Sequence, residues 1–158
     1  MDMNASYNKL VTKHLPKAQI VYDRFHMQSQ FGRDVLGVVR LDEARRHKAK
    51  EKEILADISD DTDKETMKSL KQEAKAEKQE YSQLKKLRWP LLINSDKLSD
   101  SKTEQLQSIL QDHHDLAVCY AMKEKMCRLY ELTDYQQSVT GWTKWFQAAK
   151  ESEIPALV

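Results

Sequence analysis

Few residues of this chain have the type and spacing to do chemistry by themselves. Asp112-His113-His114-Asp115 offers four ligating side chains in a row. Adjacent histidines on a helix point about 100° apart, however, and rarely converge on one ion, so the run reads as helix surface. Asp23 closes the run Ala18-Gln19-Ile20-Val21-Tyr22, whose β-branched and aromatic character suggests a buried strand with an acid at its C-terminal end. It reads equally as the N-cap of the helix that follows. His26 reads as a half-buried histidine, and Asp2 as an acid that needs convergent partners before it can act. No Ser/His/Asp or Cys/His grouping and no Gly-rich phosphate loop has the spacing of a local catalytic site.

The elements that must position these residues are mostly helical. Tyr7, Leu10 and Val11 follow Asn4, a possible N-cap, at helical spacing, and Pro16 closes that segment. A strand at Ala18–Tyr22 would need partners from elsewhere to satisfy its backbone. From Phe25 a helical stripe of Phe31, Val35, Val38 and Leu41 runs into a charged stretch, Arg45 to Lys52, that reads as solvated surface. After the acidic turn 57–61, Thr62-x-x-Glu65 has the form of a capping box. The helix it opens carries Met67, Leu70, Ala74, Tyr81 and Leu84 on a three-four repeat, interrupted by Glu77, the seam of a short coiled coil. A long antiparallel helical hairpin is the expected result.

Leu87 to Ile93 contains Pro90 and is expected to be extended. Ser101-x-x-Glu104 and Thr133-x-x-Gln136 are further candidate boxes. The last helix carries Trp142, Trp145 and Phe146, expected in the core.

Composition agrees with this reading. Of the 158 residues 32% are charged, and three Gly and three Pro leave helix as the default. The net charge of +1 announces no global attraction to nucleic acid, so any such surface must arise from local clustering. No apolar stretch approaches the ~20 residues of a membrane span, and a cytoplasmic location is expected. Cys119 and Cys127 fall in one helical segment, about 12 Å apart along its axis, and are expected to be reduced and at least partly buried.

Asp2-Met3-Asn4-Ala5-Ser6-Tyr7, then Pro16-Lys17-Ala18-Gln19-Ile20-Val21, then Asp23-Arg24-Phe25-His26, resemble the ISL-three family of insertion-sequence transposases. Val38-Val39-Arg40, Leu84 to Leu92 and Ala121 to Lys125 echo the family's helical region. The resemblance implies an Asp-Asp-Glu enzyme in which a ribonuclease-H-like sheet presents three acids to two divalent metals, Mg2+ or Mn2+. It implies that Asp2 is the second acid and a metal ligand, and that Asp23 and His26 form an acid-x-x-His signature near the active site. Residues 1–31 would be a small α/β remnant of the catalytic domain and residues 32–158 a helical insertion domain, mainly α. The first Asp and the Glu would lie outside this sequence, leaving the chain inactive alone. DNA, as terminal inverted repeats and target, would be the partner of the intact enzyme, and self-association is a further expectation. Arg24, Arg40, Lys85, Lys86 and Arg88 are candidate phosphate contacts, and Trp89 a platform for an unpaired base. The competing reading is a non-catalytic DNA-binding or coiled-coil module that inhibits an intact transposase.

Overall fold

The structure, a computed structural model, describes residues 5–59 and 62–158. Its elements are α1 (Ala5–His14), α2 (Arg24–Phe31), a π-helical turn (Gly32–Leu36), α3 (Gly37–Ala56), α4 (Lys64–Lys86), α5 (Arg88–Leu92), a 3-10 turn (Ser95–Lys97), α6 (Asp100–Asp112), α7 (His114–Leu129) and α8 (Tyr135–Glu151). There is no strand among the described residues, so the strand expected at Ala18–Tyr22 is not formed. Its β propensity has no second strand to complete a hydrogen-bond ladder, and propensity without pairing does not hold a strand. Asn4, the candidate cap of α1, lies outside the described residues. The helix has no fully buried residue, and Asn8 Nδ2 donates to the Tyr22 hydroxyl at 2.7 Å.

Asp23 caps α2, its carboxylate accepting from the Phe25 amide at 2.7 Å. From Arg24 the backbone stays helical to Ala56, and the division expected at residue 31 coincides with the π turn and with no gap in the helix. Phe31, Val35 and Val39 form one buried row, with Gly32, Leu36 and Arg40 beside it. Val38 is exposed and Leu41 only half-buried, a correction to the expected stripe. The wider π turn shifts the phase of everything after it, which a constant 3.6-residue period does not anticipate.

α3 and α4 run antiparallel and pack along their lengths, with Ala44 and Ala74 buried in the seam and Arg40 bonded to Leu84 near its end. Glu77, the apparent break in the α4 repeat, sits within the seam. Lys50 Nζ and His47 Nδ1 each approach its carboxylate at 2.6 Å. The Lys50 bond, with help from His47, holds the Glu77 carboxyl below its usual range against the opposing effect of burial. The acid is therefore part of the interface, because paired polar groups on α3 meet it.

The helix starts differ from the boxes by a residue or two. Asp63 caps α4, accepting from the Glu65 and Thr66 amides, and Asp134 caps α8, accepting from Gln137. In both places an Asp follows the expected Thr, and its carboxylate reaches the same orphan amides. α6 starts at Asp100 behind Ser99, with no side-chain cap. The segment around Pro90 is helical, a second correction. Pro90 is the third residue of α5, within the first turn, where amides lack intrahelical acceptors and a proline removes no bond.

The core joins Leu36, Leu84, Leu87, Leu91, Leu116 and Cys119, all almost wholly enclosed, to Trp145 and Ile154. Trp142 packs against this core, whereas Phe146 is 57% exposed and touches Trp142 and Trp145 only from outside. Among the described residues no helix is long and apolar enough to cross a membrane.

Cys119 and Cys127 both lie on α7 and are free and buried. Burial, with some help from Asp115, pushes the Cys119 thiol up to about 12, and burial also raises Cys127. At pH 8 only about one Cys119 in ten thousand is then thiolate, the reactive form. Iodoacetamide at pH 8 is expected to leave both thiols unlabelled in the folded chain and to label both in urea, as read by mass spectrometry. Prompt labelling of Cys119 without denaturant would show that α7 leaves the core.

Candidate nucleic-acid interface

α2, the π turn, the start of α3 and α5 enclose a groove of about 650 Å³. Gly32 lets α5 come close, since a Cβ there would overlap the Leu92 side chain. Phe25 and Trp89 both line the groove, 70% and 66% exposed. Arg33 and Arg88 are also in its lining, and the Arg88 guanidinium carbon lies 5.3 Å from the centroid of the Trp89 ring. Arg33 is engaged by its neighbour Asp34 through bonds of 2.7 and 3.0 Å. Exposed aromatic rings with a guanidinium beside them form a surface on which a flat, electron-rich group can stack.

The other candidate residues are distributed as follows. Lys85 and Lys86 are exposed in the last turn of α4, close in sequence to Arg88, where their charge complements the negative end of the helix. Lys85 Nζ stands 5.7 Å from the Tyr81 ring. Arg24 is exposed at the start of α2. Arg40 lines the groove, but it is buried and its Nη1 donates to the Leu84 and Lys85 carbonyls, both at 3.1 Å. Its Nη1 is thus directed at the end of α4. Asp23 acts as a cap, and His26, half-buried, has its ring 6.0 Å from that of Phe25. Asp2 lies outside the described residues.

Sequence reasoning missed Phe25 and Arg33 as parts of this surface. Each looked like an ordinary position on a helix, and only the approach of α5 turns that helix face into a wall. Trp89 was legible because a tryptophan amid basic residues next to a proline signals a ring held away from the core.

A profile for transposases of the ISL-three family matches residues 1–158. The chain belongs to that family. The chain is also 28% identical over 157 residues to the transposase for insertion sequence element IS1001 of Bordetella parapertussis, a match covering 99% of this chain and 32% of that protein. It spans about a third of the length of this curated relative. No solved structure matches it.

Membership of a transposase family implies divalent metal in the intact enzyme. Asp23 takes part in no grouping of three ligating side chains; among the described residues that grouping is Glu43, His47 and His113. Two imidazoles and one carboxylate do not make the all-oxygen site that magnesium or manganese takes. The described residues therefore do not by themselves fit a two-metal centre.

Proposed function

We propose that this chain supplies part of a DNA transposase that cuts and joins the ends of an insertion sequence, and that its groove holds an unpaired stretch of DNA during that reaction. The observation that carries the binding role is the placing of Phe25, Arg88 and Trp89 around one groove, with Lys85 and Lys86 close by in the chain. Stacking on exposed rings requires unpaired bases, because a base inside a duplex has no free face. Basic side chains nearby supply the sequence-independent attraction to the backbone.

Residues 1–31 are best read as part of a ribonuclease-H-like catalytic domain, with residues 32–158 as its helical insertion and α3 with α4 as the hairpin. The exposure of Tyr7, Leu10, Leu15 and Val21 supports this, since a run of bare apolar side chains calls for a covering surface. Asp2 would contribute to the acids of that domain, Asp23 and His26 would stand near the scissile strand, and magnesium or manganese would supply the hydrolytic and strand-transfer chemistry. Asp23 joins no grouping of ligating side chains among the described residues, and the chain by itself is proposed to bind DNA without cutting it.

Fluorescence anisotropy with a labelled single-stranded oligonucleotide tests the binding role. The chain is expected to prefer it to a blunt duplex, and Trp89→Ala to weaken it by 1–3 kcal/mol, roughly 5- to 150-fold. Arg88→Ala is expected to lower the slope of log affinity against log salt by about one contact. Equal binding by wild type and Trp89→Ala would reject the groove as the site.

A further inference from the structure

We propose that Glu43, His47 and His113 form a binding site for a zinc-class divalent metal, clamping the α3–α4 pair to the junction of α6 and α7. Glu43 and His47 are one helical turn apart on α3 and share a face. His113 lies between α6 and α7, where its backbone (φ −124°, ψ 82°) leaves the helical region and carries the ring inward. One ligating atom from each residue lies within 4.8 Å of the others, and His113 Nδ1 is 3.6 Å from Glu43 Oε2. Bonds of 2.0–2.2 Å to a tetrahedral zinc place ligand atoms roughly 3.3 Å apart, so closure needs small side-chain rotations only.

The hydrogen-bonding state of the imidazoles supports a ligand. His113 is 5% exposed, and its buried Nε2 has no hydrogen-bond partner, standing 3.7 Å from Glu80 Oε2. His47 places Nδ1 2.6 Å from Glu77 Oε2. An ionised carboxylate only accepts, so Nδ1 is the nitrogen that donates to Glu77, and Nε2 is the one left to face a metal. His47 is thus oriented through Nδ1 by a carboxylate, the arrangement that positions histidine ligands, while His113 turns Nδ1 toward Glu43 and Nε2 toward Glu80. Arg46 holds the other oxygen of Glu43, Oε1, at 2.7 Å. Three carboxylates, Glu43, Glu77 and Glu80, stand around the two rings, the first two also paired with Arg46 and Lys50. Two nitrogen donors favour zinc, cobalt or nickel over magnesium. In the absence of metal affinity the same residues would be a polar seam, its two rings packed edge to face at 5.3 Å.

The test is calorimetric titration of the purified full chain, freed of metal with a chelator, with zinc chloride alone. Cobalt absorption reports geometry and circular dichroism reports helix content. One zinc per chain, a four-coordinate cobalt spectrum and a raised melting temperature are expected. Glu43→Gln, His47→Gln and His113→Gln should each weaken zinc by on the order of 100-fold, and Glu80→Gln by about tenfold. His114→Gln, on the exposed neighbour, should leave it unchanged. Absence of saturable binding by the folded wild type would overturn the site, as would equal loss in His114→Gln. Glu43→Gln with native helix content and unchanged zinc affinity would do the same.

Discussion

Lys123→Ala should destabilise the folded chain by roughly 3–5 kcal/mol, the cost of removing one partner from a buried charged cluster. Lys123 is 3% exposed, and its ammonium donates to the Leu91 carbonyl at 3.2 Å and the Ile93 carbonyl at 2.8 Å. Those carbonyls belong to the end of α5 and the residue after it, where no further turn of helix supplies donors. The same ammonium pairs with Glu124 Oε1 at 2.6 Å and lies 4.7 Å from the centre of the Tyr120 ring. Burial works to raise the Glu124 carboxyl, and hydrogen bonds from Lys123 and Ser95 outweigh it and keep it low. Alanine would leave two carbonyls without this donor and the half-buried Glu124 carboxylate with its bond from Ser95. Lys123→Met restores the packing of the stem but not the charge, so the difference between the two variants in urea unfolding separates the effects. A loss below about 1 kcal/mol for alanine would mean that water replaces the ammonium freely.

Arg40→Ala should cost about 2–4 kcal/mol, from the charged hydrogen bonds and the packing of its stem. Arg40 meets α4 as Lys123 meets α5, with a buried cation donating to carbonyls near the C-terminal end of a helix. Burial first, and repulsion from Arg88 second, lower its pKa from the usual guanidinium value. The two sites hold the ends of the helices on either side of Leu87, and Arg88 and Trp89 follow directly. In the groove's DNA assay, performed where the variant is folded, Arg40→Ala should leave the salt slope unchanged, because its charge is directed at protein. A slope reduced by about one contact would show instead that Arg40 reaches a phosphate.

Much of what the chain is can be read locally. Helix content follows from scarce Gly and Pro, and Asp23 caps its helix because a carboxylate two residues before an amide reaches it whatever the rest of the molecule does. The separation and burial of Cys119 and Cys127 follow from helix rise and the apolar face of α7. Family resemblance was legible from Asp23-Arg24-Phe25-His26 and its surroundings, since such motifs survive in sequence without any knowledge of packing.

Tertiary structure decided what depends on residues far apart in the chain. Ala18–Tyr22 has strand propensity but no ladder among the described residues, and Phe146 continues an aromatic face past the edge of the core. Arg40, one more cation by its sequence, turns inward because the end of α4 stands there. His113, discounted for its neighbour His114, finds Glu43 and His47 some seventy residues earlier in the chain. Covalent geometry and helix period fix the relations among residues a few positions apart. Which helix faces meet is set by the packing of the whole chain, and that packing brings the groove's rings and the Glu–His cluster together.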